Sequence, residues 1–304
     1  MARHDDSPDA FPRTRRDVCP DVRPDVRPHT FADASSGGSP PATARLDGRE
    51  AAADLAPLAF AGYAHFTAMQ VRGGRVRGLD LHLDRLRHGS VELFGRALPD
   101  ERVRALLRDA LRDAPADLSL TATAYSPAGE FTVAGPGDEP GLLVRTAPPA
   151  SGPRGPLALT VVEHERFLPA VKHVGEPAKT YFLRRAADLG ADDVAFTDRR
   201  GRLSEASIWN LAFWDGSAVV WPRADMLPGV TMGVVRRRLD RLGVAQRERE
   251  ITPGDLPELA GAAVLNSWTP GVPVHRIGAV PLPEAADFVA LLHRAYEAEP
   301  PVRP

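Results

Sequence analysis

A single cysteine, Cys19, stands in a chain of 304 residues, which excludes an internal disulfide framework and a zinc site built on several thiolates. Aromatic residues make up only 6%, too few for a stacking platform for single strands. The net charge of -2 gives no field directed at nucleic acid or an anionic membrane. Apolar runs stop well short of the roughly 20 residues a membrane helix needs. The nine histidines form no HExxH or comparable ligand spacing, and no metal is expected. GxGxxG and Walker loops are missing as well. Arg15-Arg16 is followed by Asp17-Val18-Cys19-Pro20 instead of an apolar stretch, so a twin-arginine signal is not expected and the cytoplasm is the expected location. Lysine is the scarcest cation. Of 38 Lys and Arg residues only Lys172 and Lys179 are lysines, which leaves 36 arginines.

What is present is apolar material for one large or two modest cores, at 43% hydrophobic residues. Residues 1–45 read as an unfolded Pro-rich tail, with Asp-Val-X-Pro repeated from Asp17 to Pro28 and a Ser-Gly-Pro cluster after it. Order is expected from about Leu55. Residues 64–71 and 75–79 read as a hairpin around Arg72-Gly73-Gly74-Arg75, followed by helices from 80 and over 99–114. Strands at 118–125 and 141–146 complete a small α/β unit, and 148–156 reads as a linker. Beyond it come a strand at 157–162, a helix over 178–189 closed by Gly190, and strands at 193–197, 210–214 and 218–221. A helix over 232–242, a strand at 262–266 and a last helix over 285–299 follow. This order lacks strict βαβ alternation and indicates α+β, or mixed α/β, rather than a Rossmann or barrel fold.

Four local groupings carry chemistry. Lys172 ends Phe167-Leu168-Pro169-Ala170-Val171-Lys172. In so arginine-biased a chain, a retained lysine points to an amine that has to lose its proton, because a guanidinium stays protonated and forms no imine. Arg85, in His82-Leu83-Asp84-Arg85-Leu86 near a helix start, has the planar fork that clamps a phosphate. Glu205, in Ser204-Glu205-Ala206-Ser207, is a carboxylate just before a strand, suited to a cationic ring nitrogen. Leu227-Pro228-Gly229-Val230-Thr231 leads into a helix whose free N–H groups and hydroxyl make an anion seat. Taken singly, each has an ordinary alternative: a surface lysine, a solvated helix face, a turn glutamate, a threonine that only caps its helix. Taken together they are the groups that pyridoxal 5'-phosphate needs.

The order and spacing resemble the class IV aminotransferases, the group of branched-chain and D-amino-acid aminotransferases and aminodeoxychorismate lyase, over about residues 58–285. The family's HxxRL helix is similar to His82-Leu83-Asp84-Arg85-Leu86. Its lysine strand end is similar to Val171-Lys172-His173, its EGSxSN segment to Glu205-Ala206-Ser207-Ile208-Trp209-Asn210, and its LLPGIT to Met226-Leu227-Pro228-Gly229-Val230-Thr231. Asn266-Ser267-Trp268-Thr269 resembles the late active-site loop. The resemblance implies Lys172 as the Schiff-base lysine, Arg85 as the phosphate arginine, Glu205 at the pyridine nitrogen, and Val230, Thr231 and either Ser267 or Thr269 on the phosphate. Two departures stand out. Gly175-Glu176-Pro177 replaces the residues near the cofactor's phenolic oxygen, and Ala124-Tyr125-Ser126 stands where a substrate-carboxylate arginine is usual. Ala64-His65-Phe66-Thr67 resembles the segment of aminodeoxychorismate lyases whose threonine assists elimination, which makes Thr67 a further catalytic candidate.

The resemblance further implies a two-domain fold-type IV enzyme, with a small α/β domain at 46–150, a larger mixed-sheet cofactor domain at 151–299 and a short tail at 300–304. A homodimer and small amino acid and keto acid substrates are implied with it. The expected activity is amino transfer; the alternatives are a lyase releasing pyruvate and, further off, a non-catalytic cofactor-binding protein.

Overall fold

A computed structural model describes residues 44–46, 49–51, 62–129 and 139–304. The Pro-rich repeat and Cys19 lie outside the described residues. Strands β1 (Ala44–Leu46) and β2 (Arg49–Ala51) pair antiparallel ahead of Leu55, where order was expected to begin.

The N-terminal layer is a three-stranded antiparallel sheet of β3 (Ala64–Val71), β4 (Leu118–Tyr125) and β5 (Gly141–Ala147) in that spatial order. Burial alternates along β3 and β4, the mark of a sheet with one covered face. Met69, Val71, Leu118, Leu120 and Ala122 pack under helices α1 (Leu79–Phe94) and α2 (Asp100–Leu111), which bring down Leu79, Leu83, Leu86, Val103 and Leu107. The opposite face of β3 carries Phe66, Ala68 and Gln70 towards the second half of the chain. The expected hairpin partner at 75–79 is not a strand. Gly73 and Gly74, at φ 56° and 68°, reverse the chain, and Arg72 and Arg75 make only a bridge. Val76 then pairs with Val302 from the C-terminus. The full ladder of β3 goes to β4, whose alternating apolar residues match its register from Ala64↔Tyr125 to Val71↔Leu118.

The second layer is a nine-stranded mixed sheet. Its strands are β6 (Leu157–Glu163), β7 (Asp193–Thr197), β8 (Leu203–Ala206), β9 (Asn210–Trp214), β10 (Val219–Pro222), β11 (Gln246–Arg249), β12 (Gly261–Leu265), β13 (Val272–Ile277) and β14 (Val280–Pro281). The path β9-β12-β13-β6-β7-β8 returns to β9 through the pairing Glu205↔Asn210, so the sheet closes on itself. The element order did not reveal this barrel-like closure. Leu159, Leu203, Leu211, Phe213 and Val264 fill the interior. Helices α4 (Val230–Arg241) and α5 (Ala286–Glu297) cover one outer face through Val235, Leu239, Phe288 and Leu292, and α3 (Pro177–Asp188) packs beside Val194 and Phe196. The mixed α/β architecture agrees with the sequence reading. Among the described residues no helix is long and apolar enough to cross a membrane.

Candidate active site

Lys172 lies on a segment that crosses the end of β3. Phe66 N–H donates to Lys172 O at 2.9 Å and Val174 N–H donates to Ala64 O at 2.8 Å, which fixes the backbone on both sides of the lysine. Leu168, a non-glycine residue at φ 48°, bends the approach, a conformation that costs energy and is held by the Val171 N–H bond to Leu168 O. The Lys172 Nζ sits 4.8 Å from the centroid of the Phe66 ring. Burial pushes its pKa down to about 7; Arg85, Arg166 and Lys179 add to the shift and Glu205 opposes it.

The amine opens into a cavity of about 180 Å³. Its far wall is the start of α4, where Gly229, Val230 and Thr231 line the space. Gly229 is the N-cap and no side chain caps this helix, so Thr231 does not spend its hydroxyl on the terminus. A Cβ at Gly229 would lie 1.9 Å from Asn210 Oδ1, which explains the glycine. Asn210 Nδ2 donates to Leu227 O at 2.8 Å and ties this loop to the strand behind it. Arg85 enters from α1, donating from Nη2 to Pro228 O at 2.7 Å. Burial, and next Arg166, lowers its pKa to about 10. Ser267 closes the cavity from the loop after β12.

Glu205 is buried on β8. Lys179 Nζ donates to its Oε1 at 2.9 Å and Arg166 Nη1 lies 3.9 Å from the same atom. Its other oxygen has no hydrogen bond to a described residue. The turn after it is pinned by buried Asp193, which accepts from Ser207 Oγ and Trp209 Nε1, each at 2.9 Å. Glu176, in the stretch that departs from the family pattern, meets His173 Nε2 at 3.1 Å and His164 Nε2 at 3.6 Å. Burial opposes its ionisation, but both histidines, Arg166 and Lys179 hold the carboxyl well below the ordinary range.

The donor set suits a phosphorylated pyridine aldehyde. Arg85, Arg166 and Lys179 bring more positive charge than Glu205 balances, Thr231 has a free hydroxyl, and Glu205 keeps one free oxygen. Lys172, Arg85, Val230, Thr231 and Ser267 come together around one cavity. Thr269 does not join them. It lines the neighbouring cavity, its hydroxyl near Gly271 O at 3.4 Å, whereas Ser267 borders both cavities. Thr67 also stands apart. It is fully buried on the opposite face of β3 from Phe66 and Ala68, with its Oγ1 2.6 Å from His82 Nδ1. The two-residue period of a strand required this once Phe66 faced the cavity. Sequence reasoning missed Arg166, and it did not give Lys179 a partner. In an arginine-rich chain nothing singles out Arg166, whereas the rarity of lysine marked Lys179.

The family model for amino-transferase class IV matches residues 64–277, and the chain belongs to that family. Among solved structures it is similar to a branched-chain aminotransferase from Thermoproteus uzoniensis bound to norvaline, with 18% identity, a TM-score of 0.71 and coverage of 83% of this chain and 93% of that one. An aminotransferase from Brucella abortus bound to pyridoxal phosphate has 20% identity and a TM-score of 0.69 over 83% and 96%. A candidate 4-amino-4-deoxychorismate lyase from Legionella pneumophila has 17% identity and a TM-score of 0.70 over 79% and 93%. No curated protein matches the chain in sequence. The cofactor of this enzyme family is pyridoxal 5'-phosphate.

Proposed function

We propose that the chain is an aminotransferase that moves an amino group between a small amino acid and a keto acid, with Lys172 as the working amine. The observation that carries this reading is the position of Lys172. Its amine has a pKa near 7 and faces the cavity lined by Arg85 and the α4 N-terminus.

Pyridoxal 5'-phosphate supplies an aldehyde with which a primary amine condenses and a ring that draws electrons from a carbon losing its proton. The rest falls to this chain. Val230, Thr231 and Ser267 hold the phosphate with N–H and hydroxyl donors, and Arg85 balances its charge. Glu205 is the carboxylate for the ring nitrogen. Lys172, half neutral near pH 7, takes the substrate's α-proton at Nζ and returns it to the acceptor carbon. Phe66, against the amine, limits water on that side.

The lyase reading leaned on Thr67, which faces away from the cavity, so amino transfer is the better supported of the two. Phe167, Val174, Ile208 and Trp268 are large apolar side chains left exposed, Ile208 and Trp268 at the edge of the cavity, which supports a homodimer. The test is spectroscopic and chemical. Protein loaded with pyridoxal phosphate should show a visible absorbance band that Lys172→Ala removes, and amino donors should bleach it in the wild type. A spectrum that is the same in both proteins would falsify the role of Lys172. Pyruvate release from aminodeoxychorismate without any amino acceptor would reverse the order of the two reactions.

A further inference from the structure

Beside the Lys172 cavity lies a second one, of about 110 Å³, that shares Ser267 and Trp268 with it. Arg72, just past the end of β3, lines one side, and Arg75 and Arg77 follow it after the turn. Tyr296, near the end of α5, lies across from them. Every side chain in the wall can donate a hydrogen bond, and none is a carboxylate.

The three guanidinium groups keep their charge. Arg72 donates to the backbone oxygens of Val71, Leu118 and Ala150 and to Gln70 Oε1. Arg77 donates from Nε to Glu299 O at 3.0 Å, its guanidinium carbon 5.7 Å from the centre of the Tyr296 ring. These neutral acceptors fix the two side chains without neutralising them, which is how a preorganised anion site is built. The Arg75 guanidinium has no carboxylate partner among the described residues. The Glu299 carboxylate is engaged by Arg237 and Arg238. The hydroxyls of Tyr296 and Ser267 make no hydrogen bond to another described residue. Burial raises the Tyr296 pKa against the opposing pull of Arg77 and then Arg72, so both cations act on that hydroxyl.

The wall also selects among anions. A carboxylate carries one charge in one plane, and a single guanidinium fork satisfies it. A phosphate group carries about -1.5 to -2 charges near pH 7 and three strong acceptor oxygens. Three uncompensated cations, with hydroxyls on other sides, match the second and leave a carboxylate short of charge. The volume is far below the roughly 300 Å³ at which cavities begin to enclose drug-sized ligands, so only a small ion or head group fits.

We propose that this second cavity is a binding site for a phosphate group, separate from the cofactor seat at the start of α4, and that it takes inorganic phosphate or a small phosphomonoester. An anion held there bridges the turn after β3, the loop after β12 and the end of α5. The site stands whether or not the chain transfers amino groups.

Calorimetry on protein loaded with pyridoxal phosphate and freed of excess cofactor tests it, because the seat at α4 is then filled. Inorganic phosphate should bind once per chain with a dissociation constant of about 1 mM or below, and Arg75→Gln should weaken it roughly tenfold. Arg75 makes no side-chain bond to a described residue, so this variant should melt as the wild type does. Tyr296→Phe keeps the ring beside Arg77 and should weaken binding about threefold. Glycerol 3-phosphate and glutarate are the comparison ligands. Tighter binding of glycerol 3-phosphate than of inorganic phosphate supports the site and assigns it to an organic ester; equal or weaker binding supports it and assigns it to the free ion. No binding of either phosphate, binding unaltered in Arg75→Gln, or glutarate bound as tightly as phosphate overturns the proposal.

Discussion

Between pH 7 and 10 the Lys172 amine is neutral in the folded protein, whereas in the unfolded chain it keeps its charge up to the ordinary value of 10.5. The unfolded state therefore binds the extra proton, and stability rises with pH through that window. Replacing the amine by an apolar isostere removes the cost. Lys172→Met should stabilise the cofactor-free protein at pH 7 by something on the order of 3 kcal/mol. The gain should be full below pH 7 and shrink towards zero near pH 10, as followed by urea unfolding across pH. A gain that does not change with pH would mean the lysine is not held in an enclosed, cation-rich setting. Residue rarity made this position readable in advance, because arginine cannot do what a displaceable amine does. Residue rarity said nothing about Thr67, whose side was decided by strand parity. Thr67→Val leaves His82 Nδ1 without its partner, and buried His82, whose pKa burial and then Arg85 lower to about 3, has no other side-chain hydrogen bond among the described residues. The change should cost about 1–3 kcal/mol of stability and leave cofactor loading within a factor of two. A large loss of loading with normal stability would return Thr67 to the site.

Among the elements, the seat at the start of α4 depends on the absence of a side chain. Gly229→Ala has to push Asn210 away from 1.9 Å, and Asn210 is what ties the loop to β9. Cofactor affinity should fall more than tenfold in a titration by fluorescence or absorbance, with a smaller effect on melting temperature. Unchanged affinity would remove the helix terminus from phosphate binding. A similar close approach occurs in α1. A Cβ at Gly89 would meet the His65 ring at 2.6 Å, so a glycine that weakens a helix interior is kept where β3 presses against it. Most elements could be read from periodicity: α1, α2, β4 and α4 carry clean two- or three-to-four-residue patterns, and β9 reads as a short continuous apolar run. The strands that escaped notice did so for reasons visible in them. β11 is Gln246-Arg247-Glu248-Arg249, a polar edge strand paired in parallel with β10, and β13 carries Pro273 and a bulge between Val274 and Arg276. Glu205↔Asn210 is a local pairing, and the ring closes because β12 pairs with β9 and β13 with β6, long-range pairings that no local pattern encodes.

Across the whole molecule, the C-terminal segment ties the two layers together. Val302 pairs with Val76, Glu299 O accepts from Arg77, and the buried Glu299 carboxylate is gripped by Arg237 and Arg238 of α4. Asp80 at the start of α1 reaches Arg237 at 2.7 Å from the other side. Glu299→Gln strands Arg238 and leaves Arg237 with Asp80 alone, and should lower stability by about 2 kcal/mol, discounted because Arg237 is partly exposed. Thermal melts at low and high salt will check it; no shift would mean that water replaces the carboxylate. The exposed apolar residues Phe167 and Trp268 lead to a second expectation at this scale. Light scattering should give the mass of two chains, and charged substitutions at Phe167 and Trp268 together should yield single chains with impaired cofactor loading.

The bond from Lys179 to Glu205 also bears on the time before pyridoxal phosphate arrives. A buried carboxylate awaiting a cationic ring would ordinarily be an orphan in the empty protein, and this one already has a resident companion. The cofactor-free protein should therefore fold with its acid already paired and take up pyridoxal phosphate afterwards, which loading of the purified empty protein would check.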